Sequence, residues 1–518
     1  MNDEKYHFAL TREIKIVIFT VSGFTLLLHL YTNLFAGYGI FRDEFYYIAC
    51  SNHLSAGYVD QPPLSIYLMA ISRWIFGESL FAIRLFPAAI AALTVYFTGL
   101  LTVRIGGKLI AVLIACVSLS FSPIFLAMNA FFSMNTFDHF FWVLAAWLVA
   151  RIIQEEKPGL WLILGVILGL GLLNKISMGW FGAGLAAGLL FTPLRSSLKT
   201  KWPYLAAAIA LLIFSPFIIW NITHNFAHLE FMRNASNLKY SSLTPLDFIG
   251  GQLLLAGPLT ILVWLPGLLF IMMSKGLKQY RILGIIFLTT FLILVANWHS
   301  KPEYLASAYP LVYAGGGLFY EKIISRKSFG WLKYAVVVLI IITGFIAMPL
   351  AIPILPVKTF IAYSNSLGVA PENTEHKEIG KLPQFYADMF GWEDLAADVS
   401  RVYASLPDSQ KSSTIVLALN YGEAGALQYY SSKYKLPPVI CPHNSYWYWA
   451  NPDENRIKTV IIIGGSMKDH LSACRNVRVA AVHKTKYSMP YENDLPIYIC
   501  SGIYRSFKEI WQKSRFFI

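Results

Sequence analysis

The chain has 518 residues, of which 56% are hydrophobic and only 14% charged. Soluble chains carry about 25% charged residues, so this composition argues against a water-soluble protein and for a membrane one. The net charge of +13 does not amount to a nucleic-acid surface, because the basic residues fall in short clusters between apolar runs instead of on one face.

The polar start MNDEKYHFALTREIK is followed by an apolar run from Ile14 to about Leu34, and ~20 such residues suffice to span a bilayer. No small-residue cleavage site ends the run, so a retained anchor is expected. Further apolar segments end near Val103, Ala127, Ile153, Leu173, Thr192, Trp220, Met273, Val295, Gly317 and Pro349. With the first they predict about eleven spans, the softest boundary being Leu172–Gly179. A cytoplasmic N-terminus puts Arg104/Lys108, Arg151/Lys157, Arg195/Lys199/Lys201, Lys275/Lys278/Arg281 and Lys322/Arg326/Lys327/Lys333 on one side. That is the distribution the positive-inside rule requires, and an odd span count then leaves the C-terminal region outside.

From about Ile354 the pattern changes. STIVLALN, TVIIIGG, NVRVAAVHKT and LPIYIC are too short to span and read as strands. Helical patterns lie between and after them in DLAADVSRVYASL, EAGALQYYSSKY and FKEIWQKSRFF. The expected architecture is an all-α multi-span membrane domain over residues 1–353 and an α/β domain over 354–518. Cys441, Cys474 and Cys500 fall in the second domain, where an oxidising compartment permits one disulfide of unspecified pairing. The GG of IIIGGSMKDH lacks the further glycines of a nucleotide-binding turn.

The stretch FRDEFYYIACSNHLSAGYVDQPPLS places Asp43, Glu44 and Asp60 just after the first span. Asp43 and Asp60, brought together by a folded loop, suit a general base with its tuning partner or a divalent-cation site. Asp43 could equally cap the following helix, and Glu44 reads chiefly as such a helix start. In SMNTFDHFFW, Asn135 and Asp138 at i and i+3 share a helix face near the outer start of the fourth span; Asn135 also suits an N-cap. Lys175 in LLNKISM, and Lys301 beside His299 and Tyr304, are isolated cations on the side poor in basic residues. Either could anchor at the interface or hold a lipid-linked phosphate. His224, His228 and Arg233 lie on a further outer loop, without paired metal-ligand spacing.

In order, RDEFYY, YVDQPPL, SMNTFD, LLNKISM, WNITHNFAHLEF and KPEYLASAYP resemble bacterial family 39-type glycosyltransferases of the GT-C superfamily. That superfamily includes protein O-mannosyltransferases and aminoarabinose lipid A transferases. NYGEAGALQYY and HNSYWYW resemble the periplasmic domain of some members. The resemblance implies sugar transfer from a polyprenyl-phosphate donor, outside the membrane, to a lipid, glycan or protein acceptor. Asp43 matches the family's acid in the first outer loop, a base or acceptor-positioning residue. Asp60 sits where the aminoarabinose transferases carry a glutamate next to a lysine, and that lysine position is Gln61 here. Lys175 and Tyr304 resemble carrier-phosphate contacts, with Lys301 beside the latter. The second family acid aligns with Asn135, and Asp138 could substitute from one helical turn along. Asp43, Asp60 and Asp138 are thus the candidate catalytic acids and the candidate ligands of any divalent cation. Glu44, Gln61, Asn135, Lys175, His224, Arg233, Lys301 and Tyr304 are candidates for substrate binding. The competing readings are a lipid-linked sugar transporter, which would show internal repeats that the chain lacks, and a non-catalytic envelope assembly factor.

Overall fold

In hydrocarbon every backbone N–H and C=O must find its partner within its own segment, so long apolar runs fold as helices. The computed structural model describes residues 10–239, 243–325, 330–371, 378–450 and 457–518. The polar N-terminal residues 1–9, the basic pair Arg326 and Lys327, and Asn451 and Pro452 after the aromatic stretch lie outside the described residues. Six helices are long and apolar enough to cross a membrane: Arg12–Phe35, Leu80–Arg104, Met134–Glu155, Trp202–Thr223, Lys275–Ala296 and Tyr334–Ala351. Five shorter apolar helices accompany them, among them Leu109–Ser120, Gly159–Asn174 and Met178–Phe191. At about 1.5 Å of rise per residue, helices of 12 to 16 residues fall short of the ~30 Å hydrocarbon layer. Among the described residues six helices thus have the length and composition for a crossing and five apolar helices are shorter, where hydropathy led to an expectation of about eleven spans. Helices end where the apolar runs stop at Phe35, Arg104, Asn174, Met273, Ala296 and Ala351, whereas the run expected to end near Gly317 continues as helix to Ile324 and the run expected to end near Ala127 is broken after Ser120. At the soft boundary one helix ends at Asn174 and the next begins at Met178.

The chain forms two compact units that do not follow its linear order. The first comprises Met1–Ala36, Phe76–Ile219 and Ser242–Pro356. The second comprises Gly37–Ile75, Trp220–Ser241 and Val357–Ile518, so the loop after the first long helix belongs with the α/β segment.

In the second unit, β1 (Thr414–Leu417), β2 (Val439–Ile440), β3 (Thr459–Ile463), β4 (Cys474–His483) and β5 (Leu495–Ile503) form one sheet in the order β2-β1-β3-β5-β4. β1 runs parallel to β2 and β3, while β5 is antiparallel to β3 and β4. The central β3, all of whose residues are buried, shows the unbroken apolar run expected of a strand covered on both faces. One face packs Ile415, Val460, Ile462 and Tyr498 against Phe507 and Trp511 of the C-terminal helix Phe507–Lys513. Those two aromatics are four residues apart and so project from the same side of the helix.

Cys474 on β4 and Cys500 on β5 form a disulfide across 26 residues, and Cys441 is a buried free thiol. Closing a loop of this length restricts the unfolded chain by about 3–4 kcal/mol. Replacing both cysteines with serine should lower the unfolding temperature of the detergent-solubilised protein, measured without reductant. Adding reductant to the wild type should give the same shift.

Candidate active site

The first cluster is built on the helix Arg42–Asn52. The Glu44 carboxylate accepts from the Phe41 backbone N–H at 2.8 Å, satisfying a donor that the first helical turn leaves open. At the other end, Arg73 donates to the Ile48 carbonyl, Ser51 Oγ and Asn52 Oδ1, a cation where the helix dipole is negative. Asp43, partly exposed in the first turn, accepts at Oδ1 from the Tyr421 hydroxyl at 2.8 Å. Tyr421 opens the helix Tyr421–Tyr429, which is started by a capping box. Asn420 Oδ1 accepts from the Glu423 N–H at 3.0 Å, and Glu423 Oε2 accepts from the Asn420 N–H.

Asp60 lies on the loop that follows. Its Oδ1 accepts from the Tyr46 hydroxyl at 2.9 Å, and that same hydroxyl receives the Ser445 N–H at 3.1 Å. The loop backbone is clamped on both sides of Val59. The Val59 N–H donates to Ser445 Oγ, and His228 Nδ1 donates to the Val59 carbonyl. HNSYWYW and WNITHNFAHLEF, distant in sequence, thus meet at YVDQ. The rings of Tyr46 and Tyr421 lie 5.1 Å apart, so the two tyrosines that hold the two acids are neighbours. Burial pushes the Asp60 carboxyl up to about 7, and the charge of Asp43 adds to the shift, while the Tyr46 hydroxyl and Lys239 oppose it. Gln61 is fully buried, and neither atom of its side-chain amide has a hydrogen-bond partner among the described residues.

The second cluster belongs to the membrane unit. Ser133 caps the helix Met134–Glu155 through its Oγ, which leaves the Asn135 side chain available elsewhere. Asn135 Oδ1 accepts from Lys175 Nζ at 2.7 Å, and Lys175 Nζ sits 5.4 Å from the centre of the Tyr304 ring. Asp138 is 1% exposed, and its Oδ2 accepts from Ser177 at 2.9 Å and Ser307 at 2.6 Å. The turn Lys175–Ser177 between two apolar helices therefore folds over the start of a third. Asn174 Nδ2 fastens it there by donating to the Met134 carbonyl.

The structure thus gathers Asp43, Glu44 and Asp60 in one unit and Asn135, Asp138, Lys175 and Tyr304 in the other. Lys301 immediately precedes the short helix Pro302–Ala308 that carries Tyr304 and Ser307. His224 stacks on Trp220 at 4.1 Å, with Nδ1 donating to the Trp220 carbonyl, and Arg233 is exposed on the helix Ala227–Asn234. Sequence reasoning missed Arg42, Tyr46, Tyr421, Ser445 and Lys239. The aromatic density of NYGEAGALQYY and HNSYWYW was the available signal for Tyr421 and Ser445, and that of RDEFYY for Tyr46. Among the described residues no three His, Cys, Asp or Glu side chains gather as a set able to hold a metal ion, and the three candidate acids do not supply one.

The folded protein holds the Asp60 proton more tightly than an unfolded chain does. Stability from this group is full below 3.8 and is lost as pH rises toward about 7. The Asp60→Asn variant lacks that dependence, so its melting temperature should gain on the wild type as pH is raised from about 5 to about 8. A difference that stays constant over this range would mean that Asp60 titrates in its ordinary range.

Comparison with known proteins follows the same elements. Residues 60–220, which include Asp60, Asn135, Asp138 and Lys175, match the family described as dolichyl-phosphate-mannose-protein mannosyltransferase. The lipid A galacturonosyltransferase RgtD of Rhizobium johnstonii is 27% identical over 248 residues, or 46% of this chain and 51% of that protein. The chain thus spans about half the length of the curated relative it matches. ArnT from Cupriavidus metallidurans, bound to undecaprenyl phosphate, superposes with a TM-score of 0.60 at 13% identity, over 93% of this chain and 97% of ArnT. Apo ArnT gives 0.61 at 12% identity over the same shares. The Archaeoglobus fulgidus oligosaccharyltransferase tethered to an acceptor peptide gives 0.53 at 14% identity, over 86% of this chain and 69% of that one. At such identities the structural likeness speaks for the fold. The chain has the fold of ArnT and, among its described residues, six helices long and apolar enough to cross a membrane.

Proposed function

We propose that the protein transfers a sugar from a polyprenyl-phosphate donor to a hydroxyl acceptor on the outer side of the membrane, with inversion and with Asp43 as base. The acceptor is a lipid A-type glycolipid, a glycan or a protein. The observation that carries this reading is the partly exposed Asp43 carboxylate, held at Oδ1 by Tyr421. A carboxylate fixed at one oxygen can turn the other toward an acceptor O–H. In the reaction Asp43 takes that proton, the acceptor oxygen bonds to the anomeric carbon, and the bond from that carbon to the phosphate oxygen breaks. The carrier leaves as polyprenyl phosphate, and a lysine ammonium offsets the charge that develops on it. Lys175, oriented by Asn135, suits that role, and Lys301 is the second cation of the same kind. The match of residues 60–220 to a mannosyltransferase family and the ArnT-like fold support the donor class. The Cys474–Cys500 disulfide supports an oxidising, extracytoplasmic setting for the second unit.

The test is turnover by the purified protein with a polyprenyl-phosphate sugar, read as carrier phosphate released per sugar transferred. Asp43→Asn should cut turnover by roughly 10²–10⁴-fold without altering membrane insertion. Wild-type turnover in that variant would remove Asp43 from the reaction. Mass spectrometry of lipid A and surface glycans, with and without the gene, identifies the acceptor.

A further inference from the structure

We infer that the α/β segment supplies a positioning residue for the reaction: Tyr421, backed by Arg42, fixes the orientation of Asp43. The inference rests on the reading of Asp43 as base.

Arg42, immediately before Asp43, is an arginine at 5% exposure, and burying such a charge is costly unless its surroundings repay it. Its guanidinium lies 4.7 Å from the centre of the Tyr421 ring and donates to the Tyr491 hydroxyl at 2.8 Å. Its backbone N–H donates to the Asp388 carbonyl at 3.0 Å. A cation over the face of a phenol attracts the ring's π-electron density and holds the ring in place. Withdrawing that density makes the O–H a stronger donor. The phenol so held is the one whose O–H reaches Asp43 Oδ1 at 2.8 Å.

The sequence NYGEAG is built to deliver it. The capping box of Asn420 and Glu423 fixes the helix start, and so the direction in which Tyr421 leaves the first turn. A Cβ at Gly422 would lie 2.6 Å from Arg42 Cγ, and one at Gly425 would lie 2.9 Å from the Phe45 carbonyl carbon. The helices Tyr421–Tyr429 and Arg42–Asn52 therefore approach as closely as they do because both positions lack a side chain. Without this approach the tyrosine hydroxyl would fall short of the acid. A rigid helix pair holding a base at one oxygen is the kind of support that sets near-attack geometry, and its loss can cost on the order of 10²-fold in rate.

Tyr421→Phe removes the hydroxyl and keeps both the ring and its contact with Arg42. In the carrier-release assay its kcat should fall about 10–100-fold, with the KM for donor and acceptor within about two-fold of wild type. The solvent deuterium isotope effect on kcat should rise, because proton transfer to a loosely held base becomes limiting. Arg42→Lys keeps the charge but loses the flat guanidinium, and should move the isotope effect in the same direction by less. A purely structural role for Tyr421 would shrink the active fraction and leave the isotope effect unchanged. The inference is overturned if Tyr421→Phe keeps the wild-type kcat and isotope effect while Asp43→Asn is inactive. Turnover by Asp43→Asn would instead overturn the base assignment on which it rests.

Discussion

The hydrogen bond from Tyr421 to Asp43 joins residues 378 positions apart, and the second unit is organised around it. The elements that carry the two partners are each fixed by further contacts. Glu44 starts the helix that carries Asp43, the Asn420–Glu423 capping box starts the helix that carries Tyr421, and two glycines let the helices close. Arg42 then locks the phenol from behind. The three consecutive residues of RDE thus perform three different tasks within one helical turn: a buried cation, a presented carboxylate and a helix start. The same constraint explains why the loop after the first long helix groups with the α/β segment and not with the apolar helices adjacent to it in sequence.

The membrane unit solves a separate problem, that of keeping polar groups among apolar helices. Asp138, at 1% exposure, is tolerated because two serine hydroxyls reach its Oδ2 from different parts of the chain. Lys175 is held by an amide oxygen and lies over an aromatic face, which orients a cation without neutralising it. At Asn135 it is an amide oxygen, not a carboxylate, that accepts from Lys175.

Much of the fold was legible in the sequence because period and length carry it. The ends of the apolar runs match helix ends such as Arg104, Asn174, Met273 and Ala296, and the four strand segments read from the sequence are all strands of the sheet. A loop able to bring Asp43 and Asp60 together was read from the sequence, and the charge of Asp43 raises the Asp60 carboxyl. What the sequence hid were the partners. Nothing in the spacing of Arg42, beside two acids, announces a tyrosine ring from the far end of the chain. Tyr46 looks like one of several aromatics in FYYIAC, although it is the residue that holds Asp60. In SMN the cap fell to Ser133, which has the shorter side chain for the Asn135 N–H, and that freed Asn135 for Lys175. Hydropathy likewise marks where apolar segments end but does not fix how many are long enough to cross.

The coupling between Asp43 and Tyr421 can be measured directly by a double-mutant cycle on stability, using Asp43→Asn, Tyr421→Phe and the pair. A hydrogen bond to a charged group contributes about 1.5–3 kcal/mol, so the effects of the two single changes should fail to add by an amount on the order of 1 kcal/mol or more. If they add to within about 0.5 kcal/mol, the two side chains do not act on one another in the folded protein, and the organisation of the second unit around their contact is contradicted.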